Sequence, residues 1–305
     1  MKDPFGREIT NLRIALTKRC NLRCFYCHEE GEAQNHRDEL TTDEVKKIVK
    51  AAAEMGMHKV KYSGGEPLLY PDIDDIIEFS AEYMDDVSIT TNGVLLKDRA
   101  KKLKNVGLDR VNVSLDTIDP VKYQNITGKK KVREVKKGIE EAITAGLYPV
   151  KVNMLLMKGL NDDSIEDMIG FAAETDAILQ IIEMTSNEEE IDQDFYQRYH
   201  LPLEGLASEL EERAVDTETR KMHARKKYFL SEPEVEVELV RTMHNSTFCA
   251  NCTRLRVTSS AELKPCLLRT DNHVGLREEM EKEDGGDVKA KFIEAINRRE
   301  PYWRE

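Results

Sequence analysis

Cys20-Asn21-Leu22-Arg23-Cys24-Phe25-Tyr26-Cys27 follows directly on a short apolar run, Leu12-Arg13-Ile14-Ala15-Leu16. The run reads as a strand, so the three thiols leave its C-terminal end. Three thiolates at x3 and x2 spacing can hold three irons of a cubane and leave the fourth iron without a protein ligand. That open position is what a reacting ligand needs. Two structural alternatives stand beside this reading. One is buried free cysteines; the other is a zinc knuckle, for which His28 is at hand as the fourth ligand that structural zinc takes.

The chain has six cysteines, and none lies between Cys27 and Cys249. The second group is Cys249, Cys252 and Cys266. Two triads separated by most of the chain look like two metal sites rather than disulfides in a reducing compartment. A zinc ribbon completed by His244 or His273 is the structural alternative for the second triad. Against it, Cys252-Thr253-Arg254-Leu255-Arg256 puts two guanidiniums beside the metal. Alternate positions of an extended segment point the same way, so Arg254 and Arg256 can converge on one anion.

Around the first triad the chain reads as six strand–helix units. The strand candidates are 12–16, 59–63, 87–91, 110–115, 149–156 and 178–184. Thr41-Thr42-Asp43-Glu44 opens a helix with a capping-box pattern, carried on by Val45, Ile48, Val49 and Ala52 and closed at Gly56. Further helices read over 72–83, 97–105, 132–145 and 164–174. Six such units imply a parallel α/β sheet, open or as a partial (β/α)6 TIM-type barrel, whose site residues gather at strand C-termini. Ser63-Gly64-Gly65-Glu66-Pro67, Thr90-Thr91-Asn92-Gly93 and Ser114 fall there. The two glycines let backbone approach a ligand, and Glu66 can pair with an ammonium. Beyond residue 187 the pattern changes. An acidic stretch, Asn187-Glu188-Glu189-Glu190, leads to a helix at 203–213, a β-rich run at 235–241, the second triad, a loop at 283–287 and a last helix at 288–298. The expected division is a partial barrel carrying the first triad at 1–187 and an α+β extension at 188–305 that carries the second Fe–S cluster.

The 305 residues carry a formal net charge of −12. That sign argues against a general nucleic-acid binder, while leaving room for an anionic small molecule in a locally basic cleft. Nothing approaches the length of a membrane span, and the first residues lack an apolar signal core, so a cytoplasmic protein is expected.

Three cysteines at this spacing with an aromatic before the last, at the end of a first strand, resemble the radical S-adenosylmethionine (SAM) superfamily signature. In order with it come Asn11–Cys20, Gly64-Gly65-Glu66-Pro67, Thr90-Thr91-Asn92-Gly93, Arg110–Asp116, Val150-Lys151-Val152-Asn153 and Cys-x2-Cys-Thr-Arg-x-Arg-x9-Cys. The whole set is similar to the archaeal members of the GTP 3′,8-cyclase family, from about residue 5 to the end. The resemblance implies two [4Fe–4S] clusters, one on Cys20, Cys24 and Cys27 and one on Cys249, Cys252 and Cys266. SAM would lie near Tyr26, Gly64, Gly65, Glu66 and Ser114. GTP would be met by Arg13, Lys61, Thr90, Lys151, Arg254 and Arg256, the last two also with catalytic roles. It implies a 5′-deoxyadenosyl radical that takes the ribose 3′ hydrogen of GTP, after which C3′ attacks C8. Partners implied are an electron donor and the cyclic pyranopterin monophosphate synthase that receives the product, with a homodimer left open.

Arg13, Lys61 and Lys151 each sit inside an apolar strand run, where a bare charge is costly to bury. Two departures from the bacterial pattern stand out: Gln180 replaces an Arg, and the chain ends Trp303-Arg304-Glu305 rather than Gly-Gly. Two rival readings are a radical SAM peptide-modifying enzyme with an auxiliary cluster and a zinc-stabilised binding protein.

Overall fold

The computed structural model of the chain describes residues 1–28, 39–187, 189, 191, 193–282 and 287–304. Of the loop expected at 283–287, residues 283–286 lie outside the described residues, as do 188 and 190 of the acidic stretch at 187–190. The first half runs β1 (Asn11–Ala15), α1 (Thr42–Glu54), β2 (Lys59–Ser63), α2 (Ile73–Ala81), β3 (Asp86–Thr91), α3 (Ala100–Asn105), β4 (Arg110–Ser114), α4 (Pro120–Thr127), α5 (Val132–Thr144), β5 (Val150–Leu156), α6 (Ile165–Glu174) and β6 (Ile178–Glu183). Helix α1 starts on a complete capping box: the Thr41 side chain accepts from Glu44 N–H while Glu44 reaches back to Thr41 N–H. It buries Val45, Ile48, Val49 and Ala52 on one face, as its spacing requires.

Two local differences from the sequence reading have plain causes. Helix α4 was not expected, because eight residues with little apolar periodicity carry a weak signal. Its caps define it: Asp119 accepts from Val121 and Lys122 N–H, Pro120 takes the first turn, and Gly128 closes it at φ +70°. The single helix expected from Lys97 is instead a 3₁₀ turn, Leu96–Asp98, followed by α3.

The second half runs α7 (Asp194–Tyr199), α8 (Glu204–Arg213), β7 (Ala214–Thr219), β8 (Lys226–Ser231), β9 (Glu234–Val240), α9 (Ser246–Ala250), β10 (Arg254–Val257), β11 (Glu262–Lys264), β12 (Val274–Gly275), α10 (Arg277–Met280) and α11 (Val288–Asn297). Among the described residues one sheet has the order β12-β11-β10-β1-β2-β3-β4-β5-β6-β9-β8-β7. Strands β1 to β6 are parallel neighbours and make the partial barrel. The C-terminal segment then contributes to both edges, β10 parallel to β1 and β9 parallel to β6. Residues on either side of position 187 therefore share one sheet.

On each barrel strand alternate residues face the helices or the interior. Leu12 and Ile14 of β1, Val60 and Tyr62 of β2 and Val111 and Val113 of β4 are at most 1% exposed and pack against the helices. The residues between them face inward, and there the strands carry Arg13, Lys61 and Asn112. No helix among the described residues is long and apolar enough to cross a membrane.

Candidate functional site

The first triad leaves β1 in a loop zipped to its neighbours. Gly65 N–H donates to Thr17 O at 2.7 Å and Glu66 N–H to Arg19 O at 2.8 Å. A Cβ on Gly64 would lie 2.3 Å from Thr17 O, and one on Gly65 2.3 Å from Arg19 O. The glycines thus allow the β2 loop to touch the cysteine loop itself. Glu66, expected to meet an ammonium, is fully buried and has another task here. Its carboxylate accepts from Thr91 Oγ1 (2.7 Å), Asn92 N–H (2.8 Å) and Leu68 N–H (3.0 Å), tying the β2 loop to the β3 loop.

From the β3 loop Asn92 reaches over Asn21 Oδ1 (2.6 Å) to Cys20 Sγ (3.7 Å). On the other side Tyr26 donates to Asp116 Oδ2 at 2.6 Å, and Leu155 N–H to Asp116 Oδ1 at 2.9 Å. Burial raises Asp116 to about 6 despite these two donors. Cys24 is pushed up to about 12 by burial, then by the charges of Asp116, Cys27 and Cys20. Three thiolates here repel one another and a carboxylate, so the loop is electrostatically unfavourable until cations enter it.

Between the triads lies a polar row built by strand register. Arg256, Arg13 and Lys61 are successive partners across β10, β1 and β2; Lys264 of β11 is opposite Arg256. Thr90, Asn112 and Lys151 are partners across β3, β4 and β5, and Asn153, Gln180 and Glu238 across β5, β6 and β9. Cross-strand partners point to the same face. Arg13, Ser63, Arg256 and Lys264 line a common pocket. Lys61 donates to Asn112 Oδ1 at 2.6 Å. Burial, then Arg110, Arg13, Arg254 and Lys151, draw the Lys61 amine well below its ordinary range. Arg254 is drawn down by burial, Arg256 and Arg13. The interior is a field of mutually repelling cations.

One buried carboxylate partly balances it. Glu238 is fully buried; it pairs with Lys151, with Arg225 Nε at 3.0 Å and with Arg220 Nη1 at 3.1 Å. Gln180 donates to it at 2.8 Å. Burial opposes the charge, yet Arg225, Lys151 and Arg220 prevail and hold Glu238 down at about 2. Where the bacterial pattern has an Arg, Gln180 therefore meets an anion, and guanidiniums arrive from the residues between β7 and β8. His223, from the same segment, is buried, lies flat on Phe248 (4.0 Å between centroids) and is kept neutral by burial and four arginines.

The second triad sits where α9 meets β10. Burial raises Cys249 and Cys266. At Cys252 burial is outweighed by Arg299, by the Arg254 N–H and by the Arg254 and Arg256 guanidiniums, so its thiol is lowered. Arg299 Nη2 lies 3.5 Å from Cys252 Sγ, and Trp303 N–H donates to Cys249 Sγ at 3.5 Å. The histidines considered for zinc are otherwise engaged: His273 faces Glu262 and Arg269 O, and His244 packs on Trp303. Among the described residues no three Cys, His, Asp or Glu converge as a single ion requires; thiols on separate corners of a cubane need not. Two buried N–H groups beside this triad, Arg299 Nε and Trp303 Nε1, have no acceptor among the described residues. Bridging sulfides would supply acceptors, so the donor set fits an Fe–S cluster.

The structure thus draws Arg13, Lys61, Lys151, Arg254 and Arg256 into one interior and sets Thr90 in the same polar rows. Tyr26 lies at the first triad, and Ser114 ends β4, paired with Asn153. Sequence reasoning missed Arg110, Arg220, His223, Arg225, Glu238 and Lys264. Glu238 was findable as one of two acids, with Glu236, that interrupt the run Val235–Val240.

Comparison with known proteins adds to this geometry. The model of the Radical SAM superfamily matches residues 14–172 and that of Molybdenum Cofactor Synthesis C residues 177–305. A probable GTP 3′,8-cyclase of Thermococcus kodakarensis is 47% identical over 305 residues, covering 99% of each chain. One of Pyrococcus horikoshii is 48% identical, covering 99% of this chain and 97% of its own. Among solved structures, Streptococcus suis SuiB bound to precursor peptide SuiA superposes with a TM-score of 0.65 at 18% identity, over 86% of this chain and 60% of that one. Native anSMEcpe with bound AdoMet does so with a TM-score of 0.60 at 16% identity, over 90% and 81%. These two likenesses are of fold.

Proposed function

The chain belongs to the radical SAM superfamily and, within it, to the GTP 3′,8-cyclases, and from that premise we propose how its residues divide the work. The reaction converts GTP to (8S)-3′,8-cyclo-7,8-dihydroguanosine 5′-triphosphate, the first step of molybdenum cofactor biosynthesis, with two [4Fe–4S] clusters and SAM as cofactors. When bound, the first cluster and SAM supply a carbon radical able to abstract hydrogen. In the proposed assignment Cys20, Cys24 and Cys27 hold that cluster, with Tyr26, Gly64, Gly65, Glu66 and Ser114 at SAM; the contacts of Glu66 and the glycines favour a role in holding the loops. Cys249, Cys252 and Cys266 hold the second cluster near the purine. An external electron donor and a synthase that takes the product complete the scheme.

The observation that carries the reading is the row of cations between the triads. A triphosphate brings about four negative charges, and Arg13, Lys61, Lys151, Arg254 and Arg256 would meet them with charge-assisted hydrogen bonds. An anion among them relieves their mutual repulsion. Holding both ends of GTP fixes C3′ against C8, so encounter entropy is spent in binding. The test is anaerobic turnover with reconstituted clusters, SAM, a strong reductant and GTP, read by mass spectrometry. The expected products are 5′-deoxyadenosine and a GTP isomer cyclised at C8. Deoxyadenosine with unaltered GTP would overturn the substrate assignment.

A pH dependence follows. Burial, against the pull of Glu238, brings Lys151 from 10.5 down to about 8. Its cation is present below that value and lost above it. The KM for GTP should therefore climb as pH rises through 8, by up to about tenfold per unit for one proton. Lys151→Arg, charged throughout, should flatten this limb; a limb of the same slope in that variant would assign it elsewhere.

A further inference from the structure

Residues 3–7 and 299–303 meet at the second triad. Asp3, 5% exposed, takes Arg7 Nε at 2.7 Å and Arg299 Nη1 at 2.7 Å on the same oxygen. Arg7 extends to Cys249 O at 3.0 Å. Arg299, 1% exposed, extends to Cys252 O at 3.0 Å and to Cys252 Sγ at 3.5 Å. Four residues on, the backbone of Trp303 donates to Cys249 Sγ, and its ring is buried. A guanidinium this deep is costly unless its charge has work. Asp3 is shared with Arg7, so the pair of cations exceeds the single anion by one. The uncompensated charge and the unpartnered Nε–H both lie beside a thiol.

We propose that Arg299, anchored by Asp3, is a positioning residue that stabilises the reduced state of the second cluster, and that the C-terminal tail acts as this cluster's hydrogen-bonding collar. The proposal rests on the second triad holding a [4Fe–4S] cluster. Adding an electron makes the cluster more negative. A cation and N–H donors at its sulfurs favour that state and raise the reduction potential. The anchor matters because a free arginine would swing to water. Asp3 fixes one arm of the fork, and the other arm then reaches Cys252.

The experiment is a redox titration of the anaerobically reconstituted two-cluster protein, followed by electron paramagnetic resonance, with iron, sulfide and zinc measured on each sample. No GTP turnover is needed, so failure of the proposal is separable from failure of the substrate assignment. Arg299→Gln should lower the second cluster's midpoint by at least 59 mV, a tenfold change for one electron. The first cluster, in the same tube, should not move. Arg299→Lys keeps the charge but not the planar fork, and its midpoint should fall between. If Arg299→Gln does not retain the cluster, Arg299→Lys decides alone, and must still lie below the parent. A parent-like midpoint in Arg299→Lys, an unmoved one in a fully loaded Arg299→Gln, or an equal shift of both clusters overturns the proposal. Zinc in place of iron at the second triad overturns the cluster assignment and the proposal with it.

Discussion

Arg254→Gln should lower kcat/KM for GTP by at least about 10²-fold while SAM cleavage in the same enzyme stays within tenfold of the parent. Two charge-assisted contacts at about 1.5–3 kcal/mol each are at stake, which converts to roughly 10²-fold or more. Arg254 stands at the start of β10, opposite Asn11 of β1, with Arg256 and Arg13 as its strongest cationic neighbours. Its backbone N–H and its charge both act on Cys252. The substitution leaves the N–H and removes the charge, so the second cluster should still load; iron content checks this. The first triad follows the C-terminal end of β1, whereas Arg254 opens the parallel β10 at the opposite end, which is why radical generation should survive. Equal loss of SAM cleavage and cyclisation would show that Arg254 supports the fold or both clusters rather than the nucleotide.

Glu238→Gln should have the largest effect on stability. The glutamate is the shared partner of Lys151, Arg220 and Arg225. Removing one member of a buried ionic cluster leaves charges without compensation, at a cost of about 3–5 kcal/mol. At roughly 2 °C per kcal/mol for a chain of this size, Tm should drop by about 6–10 °C. The proposed nucleotide site makes a second outcome distinctive. With Glu238 neutral, a triphosphate is the remaining anion for these cations, so GTP should raise the Tm of the variant more than that of the parent. A smaller GTP-induced rise in the variant would place the triphosphate away from this network.

The barrel was legible because its strands are apolar runs separated by amphipathic helices with caps and closing glycines. The strand at 59–63 needed no adjustment. The edges were not legible. Strand β7, Ala214-Val-Asp-Thr-Glu-Thr, is mostly polar and carries no alternating apolar signal. Strand β10 read as extended, but nothing local says that its neighbour is β1. The same limit hid part of the site. Arg220 to Lys227 resembles a solvated basic stretch, and only pairing of β8 with β9 turns Arg220 and Arg225 onto Glu238. Cation positions inside strands, by contrast, were readable one at a time, since a charge amid apolar neighbours has few reasons to be there.

The pairing of β1 with β10 also governs how the molecule can be made. Asn11 is synthesised long before its partner Arg254, so one side of the strand that leads into the first triad has no neighbour over most of that interval. Contacts of such long sequence separation form late. An unpaired strand margin is a template for wrong association. A chain stopped before residue 254 would keep that margin bare, and its failure would show as insolubility rather than as a slow enzyme.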